Sequence, residues 1–355
     1  MNKLQTSQQT HFLSYIHYFR GIAILFIVGI HVYASLNWEN SNHYIHHILR
    51  VLLDDSTLLF VFISGFLFQH LSYKFQTRVY LKKKFKFVFQ PYLIFSMPII
   101  IGRLAIDKAP RHLLAEIPDF SEWHEILQVL FYLITGSHLR PYWFIPMLAF
   151  FYISAPLLIR LDRYKLTYQL VLPFLLVTSF FIGRGNGFQI IQNFIHFLPI
   201  YLLGMLVSKH KKILFHILNK WRSALYLLGM LSFLLAYLYP SGKTFYIQKI
   251  VFIFCLLLLL KENSAGLKEH TAKIFDKIAV YSFGVYFVHD YFDVGYKFLL
   301  LKLMGIQRLP GSIAMWCLIF VLILGASLLT LKTLRVLLNR STSNTKQKSR
   351  KIIGC

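Results

Sequence analysis

Two ionisable side chains, Arg20 and His31, stand inside the first long apolar stretch of this sequence, residues 15–36. A stretch of that length can cross a bilayer. An ionisable group within it is costly unless it faces a protein interior, finds a partner or does chemistry. The two are eleven residues apart, which at about 100° per residue is three turns plus roughly 20°, so both side chains fall on one helix face. At 1.5 Å per residue they are about 16 Å apart along the axis, Arg20 near one membrane surface and His31 about halfway across. The ordinary readings are a cation anchoring a helix end and a satisfied interior histidine. The chemical reading is a cation that holds an anion at the water boundary and an imidazole that moves a proton in the interior.

The elements that must position this pair follow from composition. The chain has 355 residues, of which 56% are hydrophobic, 17% aromatic and 15% charged, with a mean hydropathy of +0.55. The charged share is well below the quarter usual in soluble domains. Apolar runs of spanning length recur from end to end, so the expected fold is all-α, a polytopic transmembrane helical bundle of about ten spans: 15–36, 50–71, 87–105, 141–160, 167–183, 189–208, 222–240, 244–260, 277–295 and 312–334. A net charge of +24 would point to nucleic acid in a soluble protein; here it reads as basic loops held on the cytoplasmic side, and no nucleic-acid partner is expected.

Charge alternates between successive connections. Segment 73–86 holds Lys74, Arg78, Lys82, Lys83, Lys84 and Lys86; basic clusters follow the fourth, sixth and eighth spans; the tail beyond Lys332 is basic again. By contrast, 37–47 has no Lys or Arg, and 106–139 carries Asp107, Glu116, Asp119, Glu122 and Glu125 against Lys108 and Arg111. The alternation places both termini in the cytoplasm. One transmembrane domain, residues 1–340, and a basic cytoplasmic tail, 341–355, account for the chain, with Ser341–Arg350 expected to be disordered. The first apolar run is too long for a signal peptide and is expected to be a retained span. Cys255, Cys317 and Cys355 have no metal or redox spacing and read as packing residues, so no metal site is expected.

Further motifs lie along these spans. Ser64 and Gly65 sit in Phe60–Phe68, where small residues commonly permit close helix packing. Asp54 and Asp55 stand at the entrance of that span and can orient a histidine. The run Tyr80–Tyr92 is basic and aromatic, fit for anionic lipid headgroups or for a phosphorylated cofactor. Pro141-Tyr142-Trp143-Phe144-Ile145-Pro146 reads as an interfacial aromatic belt. Tyr281–Asp290 carries His289 just before its end, on the half of its span away from the basic loops.

In order along the chain, these residues resemble the acyltransferase-3 family of integral membrane O-acyltransferases. The match is carried by Arg20-x10-His31, Phe62-Ile63-Ser64-Gly65-Phe66-Leu67, the basic run ending in Pro91-Tyr92, Trp143-Phe144-Ile145-Pro146, and Ser282–His289. The resemblance implies a multi-pass protein of the inner or cytoplasmic membrane. It also implies transfer of an acetyl or other short acyl group from cytosolic acyl-CoA, acetyl-CoA above all, to a hydroxyl of a surface polysaccharide or glycolipid. Acyl-CoA is then a co-substrate, with no permanently bound cofactor; the other partners are a glycan or lipid-linked sugar acceptor and the bilayer. By the same resemblance Arg20 and His31 are the catalytic pair. Arg20, Lys83 and Lys86 are the donor-binding cations, and Ser64, Trp143 and His289 the substrate contacts. The family's Arg-x-x-Arg is represented by Lys83-x-x-Lys86, which keeps charge without the bidentate fork. Where the family often has an acidic residue shortly before the arginine, this chain has His17.

Phosphates held at one rim would let the long arm of acyl-CoA reach an imidazole deeper in the membrane. That imidazole can act as a general base or be acylated itself. Two other readings stay open at this point: an exporter of extracellular polysaccharide that makes no bond, and a membrane anchor or assembly factor without a ligand.

Overall fold

Runs of Leu, Ile, Val and Phe without turn residues leave the backbone one way to satisfy its polar groups in lipid, the α-helix. The computed structural model describes residues 13–39, 41, 43–106, 109–306, 308–340 and 345–355. Within them the regular structure is helical, apart from one isolated bridge between Asn37 and Pro310. In chain order the helices begin with α1 (Ser14–Ser35), α2 (His43–Leu53), α3 (Thr57–His70) and α4 (Thr77–Lys84). A π turn over Phe85–Phe89 joins α4 to α5 (Gln90–Ala105). A short α6 (Arg111–Leu114) and then α7 (Glu125–Thr135), α8 (Phe144–Ile153), α9 (Ala155–Leu161) and α10 (Leu172–Ile182) follow. The remainder are α11 (Ile190–Lys209), α12 (Lys211–Lys220), α13 (Arg222–Leu238), α14 (Gly242–Asn263), α15 (Glu269–Met304), α16 (Ile313–Arg340) and α17 (Thr345–Ile353).

Each of the ten apolar segments falls on helix. Among the described residues six helices can cross a membrane by length and composition, or eight if each of two bent pairs counts as one span. The pairs are α8 with α9, bent by 55°, and α12 with α13, bent by 82°. Pro156, in the first turn of α9, cannot continue the hydrogen-bond ladder of α8 and accounts for the first break. Of the other two segments, 167–183 forms the shorter helix Thr167–Ile182. The segment 277–295 lies inside the 36-residue α15, where His289, Asp290 and Asp293 lower the hydropathy. Those same residues are buried, which places their polarity in the protein interior and not against lipid.

Two close helix crossings organise the bundle. A Cβ on Gly65 would land on the carbonyl of Tyr201, and one on Gly204 would land on the carbonyl of Phe62. The two glycines thus let α3 and α11 touch backbone to backbone. A Cβ on Gly21 of α1 would stand 3.4 Å from Ala279 of α15, so this pair also packs closely. These crossings carry Arg20, His31 and His289 on the α1–α15 pair and leave the start of α3 as the wall beside them.

The end of the chain departs from the sequence expectation. Residues 341–344 lie outside the described residues, as do Lys3, Asp107 and Lys108. From Thr345, however, the tail is helical and folds back on the bundle. Ser349 and Ile353 are buried, and Ile353 and Cys355 press on Gly284 of α15 at 2.9 and 3.0 Å from an ideal Cβ. The disordered reading weighed the polar residues of this stretch; Ile352 and Ile353 and the small Gly284 opposite supply an apolar seat that outweighs them.

Candidate functional site

His31 lines a cavity of about 200 Å³ together with Asp55, Arg140, Trp143, Arg184 and Tyr286. Its ring faces His289 across the α1–α15 seam, with centroids 5.3 Å apart. His289 is fully buried; its Nδ1 lies 2.9 Å from the Val285 carbonyl, and its Nε2 has no hydrogen-bond partner among the described residues. With Nδ1 donating to that carbonyl, Nε2 is the nitrogen left to accept a proton or a hydrogen bond.

The cavity wall is built from a break in one helix and a tether on another. Between α2 and α3 Asp55 takes a positive φ of 52°, a left-handed conformation that aspartate tolerates better than most residues. Lys249, fully buried on α14, donates to the Leu52 carbonyl at 2.7 Å and so satisfies an orphan acceptor at the end of α2. Asp54 pairs with Arg50 at 3.4 Å. Asp55 lies 3.7 Å from Arg184, whose guanidinium stands 4.7 Å over the Trp143 ring. Segment 140–144 is tied to α15 twice: Tyr142 donates to the Phe287 carbonyl at 2.8 Å, and Tyr286 donates to the Pro141 carbonyl. Those bonds hold Trp143 against the cavity and leave Arg140 exposed at its mouth. Arg184 and the stacked Phe197 pack against the Trp143 ring, so the polar groups of the cavity wall, Asp55, Arg140 and Arg184, are what it offers a ligand with polar substituents.

At the other end of α1, Arg20 donates to the Ala279 carbonyl at 2.7 Å. His17 lies 3.4 Å from Arg20 and 2.9 Å from Asp276 of α15. Asp276, from a different helix, is thus the carboxylate that His17 links to the neighbourhood of Arg20. The Arg20 Nε is buried without a hydrogen-bond partner among the described residues.

The basic run divides by orientation. Lys84 turns inward, 4.5 Å over Tyr152 and 5.2 Å over Tyr80, and Lys86 meets Lys351 of α17. Lys83 is exposed on α4. Of the three, Lys84 is the one that faces protein, while Lys83 and Lys86 project from the surface. Ser64 donates to the Phe60 carbonyl of its own helix at 2.8 Å and does not line the cavity. The structure thus brings His31 beside His289 and sets Trp143 with His31 in the cavity wall, while Arg20 stands at the other end of α1 and Ser64, Lys83 and Lys86 lie outside the cavity.

Sequence reasoning passed over Arg140, Arg184 and Lys249. Lys249 was findable as a lone charge in the middle of the eighth apolar segment, since an intramembrane cation marks a site or an ion pair. Arg184 and Arg140 sit in short connections, where nothing in the spacing distinguishes a cavity residue from a surface one.

A family model described as an acyltransferase domain matches residues 13–332, nearly the whole chain. No curated protein and no solved structure matches it.

Proposed function

The chain belongs to the acyltransferase-3 family and is an acyltransferase of the membrane; on that premise we propose that it moves an acetyl or other short acyl group from cytosolic acyl-CoA to a sugar hydroxyl of a surface polysaccharide or glycolipid. The observation that carries the reading is the division of labour along α1. One end bears Arg20, whose buried Nε has no hydrogen-bond partner among the described residues, and along the same helix face His31 opens to a cavity with Trp143 and two arginines. A donor with a polyanionic end and a long arm fits the first level. A neutral nucleophile that must lose a proton fits the second.

In the reaction the acceptor oxygen attacks the thioester carbonyl while His31 takes its proton. The carbon–sulfur bond breaks, and the departing thiolate of coenzyme A takes a proton in turn. His289, 5.3 Å away ring to ring, steadies the neighbouring imidazole and offers a second proton acceptor. Arg20, Lys84 and Lys86 hold the donor phosphates, and Trp143 with Arg140 and Arg184 holds the acceptor.

Titration of coenzyme A onto purified protein tests the donor side. Arg20→Ala is expected to weaken binding by about 10- to 100-fold, the loss of a hydrogen bond to a charged group, and wild-type binding is expected to weaken as salt rises. A wild type without affinity for coenzyme A would favour an exporter.

Ten spans with both ends in the cytoplasm, in the inner or cytoplasmic membrane, complete the reading. Single cysteines at Asn42 and Ser343, both outside the described residues, in a background lacking Cys255, Cys317 and Cys355, test it. Impermeant reagent is expected to label position 42 from outside and to miss position 343; the reverse pattern would invert the topology.

A further inference from the structure

We propose that α17 supplies the missing half of the donor's phosphate site, with Arg350 and Lys351 acting together with Arg20, Lys84 and Lys86. The proposal rests on the acyl-CoA reading above and extends it to a segment that the family match, ending at residue 332, does not cover.

The geometry begins with packing. The buried Ser349 and Ile353 seat α17 on the bundle, and the seat fixes which way its cations project. The Arg350 guanidinium lies 5.0 Å over the ring of Phe87 in the π turn. α17 packs on the π turn and on α5, which brings Lys351 beside Lys86. Arg350 also acts by Coulomb repulsion on Arg20 from α1 and on Lys84 from α4. On the far side Arg335 of α16 stands 3.4 Å from the Tyr281 hydroxyl. Cations from separate elements therefore converge on one place, and Asp276 is the carboxylate that acts on Arg20 there.

Such an arrangement opposes itself. Two ammonium groups in contact repel, and no ammonium has an acceptor to offer another. The buried Arg20 Nε adds an unanswered donor at the same point. A ligand carrying several negative charges and many acceptor oxygens resolves both deficits. The phosphates of coenzyme A have that chemistry; anionic lipid headgroups share it in smaller measure. The placement favours the donor, because the exposed Arg350 and the surface Lys86 lead to cations set deeper, the half-buried Arg20 and the inward-turned Lys84, whereas Lys82 and Lys83 lie exposed on α4. The doubled lysines also gain a partner capable of the fork that Lys83-x-x-Lys86 lacks: Arg350.

The test is titration of coenzyme A, and of adenosine 3′,5′-bisphosphate, onto the full chain in zwitterionic lipid nanodiscs. The variants are Arg350→Ala with Lys351→Ala, and the conservative exchange Arg350→Lys with Lys351→Arg. The alanine pair is expected to weaken both ligands by about 25-fold, roughly fivefold per cation lost near an anion, and to flatten the salt dependence of binding. The conservative pair is expected to restore most of it. An alanine variant that matches wild type overturns the proposal. So does one whose affinity falls with an unchanged salt dependence, which would mark α17 as structural support. Equal coenzyme A affinities, with phosphatidylglycerol retained by wild type and lost from the variant on native mass spectrometry, would assign these cations to lipid headgroups. If wild type itself binds no coenzyme A, the acyl-CoA reading fails first and this one with it, an outcome distinct from the others.

Discussion

Replacement of His31 by alanine is expected to lower acyl transfer by about 10²–10⁴-fold, the range for loss of a positioned general base, with little change in the amount of protein in the membrane. The argument is geometric. His31 lines the cavity, sits 5.3 Å from the ring of His289, and is not held by a hydrogen bond among the described residues. Its removal therefore leaves no buried partner unsatisfied, and the cost to folding is small. His289→Ala is expected to differ: its Nδ1 is bonded within α15 and its ring is fully buried, so that variant loses stability as well as rate. Acyl transfer from a His31→Ala protein that matches wild type in both expression and rate would exclude catalysis by this residue. If the rate falls, trapping with a slow acyl donor separates the two chemistries, since only a covalent relay leaves the acyl group on protein.

The second large effect is on the fold itself. Gly65→Ala is expected to destabilise the protein by about 3 kcal/mol, the upper range for overpacking, because the added Cβ falls on the backbone carbonyl of Tyr201 and not on a side chain that can move aside. Gly204→Ala meets the Phe62 carbonyl in the same way. To relieve either clash α3 and α11 must separate. The start of α3 carries Thr57 and Phe60 into the cavity wall, so activity is expected to fall with stability. Gly102→Ala is the control: a Cβ there has nothing within 4 Å, and a glycine inside α5 costs helix stability relative to alanine. Thermal unfolding of detergent-solubilised protein should show a lowered midpoint for the first two and an unchanged or raised one for the third. A Gly65→Ala protein as stable as wild type would mean that the α3–α11 crossing is looser than its backbone contacts indicate.

Much of this arrangement was legible in the residues. Helix periodicity put Arg20 and His31 on one face, and the small residues at Gly65 were read as packing before their partner was known. Trp143 and His289 stood out as polar or amphipathic groups at span ends. What the sequence withheld was contact between distant segments. That His31 meets His289 depends on Gly21 bringing α1 against Ala279, a matter of tertiary packing. That Asp276 reaches Arg20 through His17 cannot be read from either stretch alone. Lys83-x-x-Lys86 follows from the resemblance, whereas the inward turn of Lys84 onto Tyr80 and Tyr152 depends on α8 packing beside α4 and is not visible in the run itself. The polarity of the tail points to disorder, and the seat that Gly284 offers Ile353 and Cys355 is a tertiary contact that the tail's own residues do not display.

The most direct measurement is mass spectrometry of the surface glycans of cells lacking this chain, beside the parent and beside cells complemented with wild type or with His31→Ala. The expected result is one polymer or glycolipid that loses an acyl increment in the deletion, regains it with wild type, and remains without it in the His31→Ala complement. Acylation that is unchanged in the deletion would contradict an acyl-transfer role on surface sugars, and a polymer absent from the surface yet retained inside the cell would assign the chain to export.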